Sequence, residues 1–325
     1  MAATKAAENG KSSMVVLGDL FRRFSVFVIL LGIGTIFAVG SERFLQVDNL
    51  LNIALQTSMI AIVAIGMTFT ILTAGIDLSV GSVMALAGAL AAGLAARQGM
   101  ATPVAILLAL AAGGGIGAIN GLLIVRGGVP PFVATLAMLA VARGATLVYT
   151  QGRPIAGLDE TFIWLGNGKV LGLPVPVLIM LILAGLAYFI LRHTRFGLHV
   201  YATGGNPETT RLAGVSTDWV TLMVYVISGL CAALAGILLT ARLWSAQPNA
   251  ATGWELDAIA APVLGGTSLF GGVGGVGGTV VGAFIIGVLS NGLNLLGISS
   301  YYQQVIKGIV FILAVMLDLF TKRRK

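Results

Sequence analysis

Charge is what this sequence lacks most. Only 10% of its 325 residues are charged while 57% are hydrophobic, against roughly 25% charged in ordinary soluble domains. A soluble globular domain is thereby excluded, and the chain reads as an all-α, polytopic transmembrane helical bundle. Cysteine is nearly absent too. Cys231 stands alone inside an apolar run, which excludes an intramolecular disulfide and a cysteine-based metal site. The two histidines, His193 and His199, sit six apart beside arginines, a spacing that does not suit a zinc site. No G-x-x-x-x-G-K-[ST] phosphate loop occurs, since neither Lys169 in "GNGKV" nor Lys307 in "VIKGIV" has the required frame. The predicted spans hold neither a serine with a membrane histidine nor paired aspartates, so intramembrane proteolysis is excluded as well. The chain is not read as an enzyme and is assigned no cofactor.

What is present is a series of apolar runs near the roughly 20 residues needed to cross a hydrocarbon core of about 30 Å. Ten spans are predicted: residues 24–40, 50–73, 80–96, 103–125, 132–149, 174–191, 219–241, 256–270, 276–296 and 304–320. The N-terminal run outlasts a signal-peptide core of about 7 to 15 residues and is read as an uncleaved anchor. The eighth run, "ELDAIAAPVLGGTSLFGG", is short and rich in Gly, Ser and Thr. A re-entrant course is the alternative there.

The net charge of +7 does not mark a nucleic-acid binder, because the cations sit at span borders. With ten crossings and the N-terminus inside, Lys5, Lys11, Arg22, Arg23, Arg126, Arg192, Arg195, Arg211 and the tail "TKRRK" all fall on the cytoplasmic side. Only Arg43, Arg97, Arg153, Lys169 and Arg242 fall outside. This asymmetry obeys the positive-inside rule and places both termini in the cytoplasm. The organisation is then a cytoplasmic segment 1–23, a membrane domain 24–320 with a cytoplasmic loop 192–218, and a basic tail 321–325.

Forty-five glycines recur partly at helical intervals, as at Gly113, Gly117 and Gly121 and again at Gly274, Gly278 and Gly282. Such stripes bring helices close together, and packing within one chain is expected over a dimer seam. A faint similarity between the stretches containing "GIDLSVGS" and "GGVGGVGG" suggests a repeated span, break and return.

The loop 192–218 encodes a short helix. Asn206 suits the N-cap, Pro207 the first position, Glu208 the positive end of the dipole and Gly214 the stop, giving a helix over 207–213. So short a helix is marginal alone and must pack on something. Between the second and third spans, "AGIDLSVGS" holds a single aspartate. Gly75 is expected to end the second span in the left-handed conformation, and Asp77 or Ser79 to cap the third. The sharper reading makes Asp77 an ion site. Other membrane polar sites, candidates for a translocation path, are Asn120, Arg143, Asn291, Asn294 and Lys307. Lys307 is expected to snorkel to the interface, and Arg143 to face protein or a water-filled path.

Four stretches together, "GMTFTILTAGIDLSVGS", "GGNPETTRLAGV", "SAQPNAATGWELDAIAAPVLGGTSLFGG" and "SNGLNLLGISSYYQ", resemble the permease subunit of bacterial ribose-type ABC importers nearly end to end. The resemblance implies an inner-membrane permease with no nucleotide site of its own. Its implied partners are cytoplasmic ABC ATPase subunits, a periplasmic sugar-binding protein and a second permease copy. It also implies that the capped helix couples to the ATPase through Asn206, Pro207, Glu208, Arg211, Leu212 and Gly214, although no literal E-A-A loop is present. The cargo is then a monosaccharide, ribose or a related pentose. The few aromatic residues, 7%, place most of the specificity in the delivering protein. The rival reading is a stand-alone ion-coupled transporter or channel using Asp77; a membrane scaffold is a third.

Overall fold

The computed structural model describes residues 26–322, apart from the side chains of 314 and 317–322. The expectations for segment 1–23 and for tail residues 323–325 lie outside the described residues. Helix α1 covers Val26–Gly40, and α2 to α5 cover Val47–Leu72, Val80–Ala92, Thr102–Val125 and Pro131–Thr150. A short α6 (Glu160–Asn167) leads into a two-stranded hairpin, β1 (Lys169–Val170) and β2 (Leu173–Pro174). Then come α7 (Val175–His193), α8 (Arg195–Gly205), α9 (Pro207–Leu212), α10 (Thr217–Arg242), α11 (Trp254–Leu264), α12 (Val276–Leu295) and α13 (Ser300–Lys322).

Among the described residues, seven helices are long and apolar enough to cross a membrane: α2, α3 with its π-helical extension to Arg97, α4, α5, α7, α10 and α12. Their ends follow from local chemistry. Prolines open α4, α5 and α7 at the first or second position, where the missing N–H costs nothing. The predicted eighth span is not one helix. α11 has 11 residues, about 16 Å of rise, which falls short of a hydrocarbon core of about 30 Å. Beyond Leu264 the chain takes positive φ at Gly266, Gly271, Gly272 and Gly274, which no helix continues through.

α10 is the axis of the bundle and packs on α2, α3 and α4; α12 closes on α2 and α11. The glycine stripes are the reason these contacts are close. A Cβ at Gly113 would meet the Gly229 carbonyl at 2.7 Å, and one at Gly121 would meet the Leu222 Cα at 2.9 Å. Gly278 abuts Gly265, and Gly282 abuts Ala261, joining α12 to α11. Both stripes are therefore used inside one chain, as expected, except that Gly274 lies in the preceding loop.

The buried centre is formed by small and branched side chains such as Ala61, Val63, Val83, Ala232 and Ala235. Exposed large apolar residues cover the outer faces of α4, α5 and α7, among them Leu107, Val141 and Ile182. This is the inside-out pattern of a bundle solvated by lipid. One end of the bundle carries α8 and α9 and will be called the α9 end. The other carries Arg242 and α6, whose Asn167 donates to the Ala241 carbonyl at 2.9 Å.

Candidate functional site

Three groups of polar residues stand out from this apolar frame. The first is sealed. At the α2–α3 turn Ala74, not Gly75, adopts the left-handed conformation (φ 59°). Gly75 is needed for space instead, since a Cβ there would lie 2.5 Å from the Tyr225 hydroxyl oxygen. Asp77 follows, fully buried. Its Oδ1 accepts the Ser79 N–H at 3.0 Å and the Ser79 hydroxyl at 2.5 Å, and its Oδ2 accepts the Ser228 hydroxyl of α10 at 2.8 Å. Asn120 of α4 donates to the Ser79 hydroxyl at 3.0 Å. One carboxylate thus ties the turn to α10 and, through Ser79, to α4. Asp77 accepts the amide of Ser79, the residue preceding α3, and no side chain bonds the first free N–H groups of the helix. Neither Asp77 nor Ser79 therefore caps the third span as expected; the carboxylate is engaged in fixing the turn and α10 instead.

The second group surrounds the broken course between α10 and α12. Arg143, in α5, donates to the carbonyls of Pro248 and Ala250 at 2.9 and 3.0 Å. Glu255 is the carboxylate that interacts with it electrostatically. Lys307 does not snorkel: its ammonium is held 2.9 Å from Asp257 in the first turn of α11. Sequence reading missed Asp257 because its partner is 50 residues away. Asn291 and Asn49 exchange amide hydrogen bonds at 2.9 and 3.1 Å, pinning α12 to the start of α2. Asn294 lies one turn further on, where Gln303 approaches it at 3.5 Å. Asp77 and Asn120 are therefore brought together, whereas Arg143, Lys307, Asn291 and Asn294 belong to separate contacts.

The third group is the α9 end. Asn206 caps α9 by accepting the Thr209 N–H at 2.9 Å. Pro207 and Glu208 occupy its first turn, and Gly214 beyond its end has φ 83°. The sequence had specified each of these features. Arg211 pairs with Asp218 at 3.1 Å in an exposed bridge, and Leu212 is 84% exposed.

Immediately before α9, Gly204 is pressed onto backbone: a Cβ there would collide with the Leu72 carbonyl and meet the Gly272 nitrogen at 2.6 Å. Gly272 in turn donates to the Leu72 carbonyl at 2.9 Å. The two glycine-rich breaks that the sequence paired, after α2 and before α12, therefore touch each other beneath α8. Tyr201 adds a hydrogen bond to the Gly274 carbonyl at 2.9 Å. Burial pushes its phenol above the usual range and Arg192 opposes this only in part, so it stays a neutral donor.

Residues 49–315 match the family model described as branched-chain amino acid transport system / permease component. The ribose import permease protein RbsC of Escherichia coli K12 is 51% identical, covering 90% of this chain and 92% of its own. The RbsC of Bacillus subtilis is 48% identical, over 92% and 93%. The D-allose transport system permease protein AlsC of E. coli K12 is 38% identical, over 97% and 96%. No solved structure matches. On the family match, and on identities that run through nearly the whole of each relative, the chain belongs to this family of transport permeases, within its ribose-type branch.

Proposed function

We propose that this chain is the membrane-spanning permease of an ATP-driven importer for a monosaccharide, ribose or a related pentose. Two copies form the path, ABC ATPase subunits dock at the α9 end, and a sugar-binding protein delivers cargo at the other. The observation that carries the reading is α9 itself. A helix of 6 residues, too short to persist alone, is capped at both ends and presents Leu212 to solvent in the connection between the long apolar helices α7 and α10. An exposed leucine beside a mixed-charge surface of Glu208, Arg211 and Asp218 is suited to a protein partner. The names of the relatives, importers of ribose and allose, support the cargo class.

Ten crossings remain the best reading of topology. α1 and α13 add to the seven long helices, and the tenth passage is composite: an irregular descent over 243–253 followed by α11. This keeps both termini on the α9 side, the cytoplasm of a bacterial inner membrane. Asp77 does not favour the ion-coupled alternative, because it is 1% exposed and both its oxygens are already occupied.

The test is uptake in vesicles. Permease with its ATPase and binding protein should accumulate sugar only with ATP, and the permease alone should accumulate none. Accumulation by the permease alone, driven by an ion gradient, would end the proposal.

A further inference from the structure

The stretch from Gln247 to Gly253 is irregular backbone inside a membrane bundle. Its depth follows from its neighbours. Ala246 pairs with Ile155 in the connection beyond α5, at the Arg242 end. Arg143, which grips the Pro248 and Ala250 carbonyls, lies seven residues before the end of α5 at Thr150, about 10 Å along the helix. The Ala251 carbonyl lies 2.6 Å from where a Cβ on Gly81 would stand, in the first turn of α3. From there α3 and its π-helical turn climb 16 residues to Arg97, about 24 Å. The segment therefore descends from the Arg242 end past the middle of the bundle.

At that depth it is open. Asn249, Thr252 and Gly253 are exposed. The Thr252 hydroxyl donates to the Asn249 carbonyl at 2.9 Å, and the Asn249 carboxamide has no partner among the described residues. Hydrocarbon cannot solvate an exposed carboxamide and irregular backbone, so such segments occur only against protein or water. Ile182 of α7 makes the contrast. Seven residues from the Arg242 end of its own helix, at a similar depth, it is 72% exposed and wholly apolar.

We propose that residues 247–253, held in place by Arg143, form one wall of the water-filled translocation path, and that Asn249 and Thr252 hydrogen-bond the passing sugar. A carboxamide supplies donor and acceptor together and a hydroxyl supplies both in turn, which suits a polyhydroxylated, uncharged cargo. The segment also lacks a fixed cation or anion at its exposed positions, so cargo is not trapped there. The inference rests on the importer reading, from which it takes the identity of the cargo.

The experiment uses the complete importer in vesicles on a Cys231→Ala background, which removes this chain's sole thiol, and labelling is read on the permease band alone. Single cysteines N249C, T252C and I182C are treated with a charged, membrane-impermeant thiol reagent. The wall assignment expects N249C and T252C to react at least about tenfold faster than I182C, since only a hydrated thiol ionises readily. It also expects reaction to block uptake, and binding protein loaded with sugar plus ATP to slow it. In separate uptake assays, T252V should raise the sugar concentration for half-maximal rate by up to about tenfold, the value of one hydrogen bond, with unchanged assembly. Labelling as slow as at I182C would overturn the proposal. So would spontaneous N249C cross-linking between copies without reagent access, which would make the segment a sealed seam. If the parent importer shows no ATP-dependent uptake, the importer reading fails instead, and the labelling rates still report whether the segment meets water.

Discussion

Two polar regions lie within the same bundle and differ in every respect that matters. Around Asp77 both carboxylate oxygens and the two serine hydroxyls are paired, only the Asn120 amide oxygen lacks a partner, and nothing reaches the surface. Around Asn249 polar groups are left open. In a low-dielectric interior the first arrangement is what allows a carboxylate to exist without function of its own, whereas the second is stable only where water or cargo replaces the missing partners. If residues 247–253 line the path as proposed, the membrane aspartate is a poor guide to it, and a stretch of uncharged turn residues is a better one.

The contrast is challenged most directly at Asp77. Replacing it with Ala leaves the Ser79 amide, the Ser79 hydroxyl and the Ser228 hydroxyl without their common acceptor. At about 1–3 kcal/mol for each buried group left unpaired, this substitution should cause the largest loss of stability. Thermal denaturation in detergent should show it, and a D77A protein with wild-type melting would refute the structural role.

Next in size is the Lys307–Asp257 pair. Removing one partner of a mostly buried ion pair costs about 3–5 kcal/mol when fully buried, while replacing both with apolar residues of similar volume is often nearly neutral. With 28% and 13% of the two side chains exposed, the lower end is expected. K307M should therefore melt lower than the double variant K307M/D257L, and equal or additive losses would contradict the pairing.

Smaller still in stability is Asn206→Ala, which removes one cap at about 1 kcal/mol. Reversing Glu208 and Arg211 together should barely alter melting, because the Arg211–Asp218 bridge is exposed and such bridges contribute about 0–1 kcal/mol. Uptake should nevertheless fall while ATP hydrolysis persists. Normal uptake in that variant would remove α9 from the coupling role.

Much of this was legible in the sequence, for identifiable reasons. The spans were visible because lipid-facing and core positions are both apolar, so length alone reveals them. α9 was visible because its capping residues are contiguous and act locally. What was hidden depends on contacts far apart in the chain. Ser228 lies 151 residues from the aspartate it binds, and no local pattern announces it. The Gly75 assignment failed because glycine serves two purposes, positive φ and clearance, and here Tyr225 required the second. The bounds of the eighth span differ, with its helix ending at Leu264, because apolar composition continues through 256–270 while the helical backbone does not. The run "QPNAATG" directly before it, rich in turn residues yet uncharged, was the signal that could have marked the break.

Where Gly204 meets Leu72 and Gly272, main chain rests on main chain with no side chain between to yield. Side chains absorb small displacements by changing rotamer, but this junction has none to spare. A tilt of the α8–α9 elbow by an ångström must therefore arrive at both membrane breaks at nearly full amplitude. On the importer reading proposed above, a stiff linkage of this kind would carry a docking event at α9 to both breaks directly, without any long-range signal through the helices.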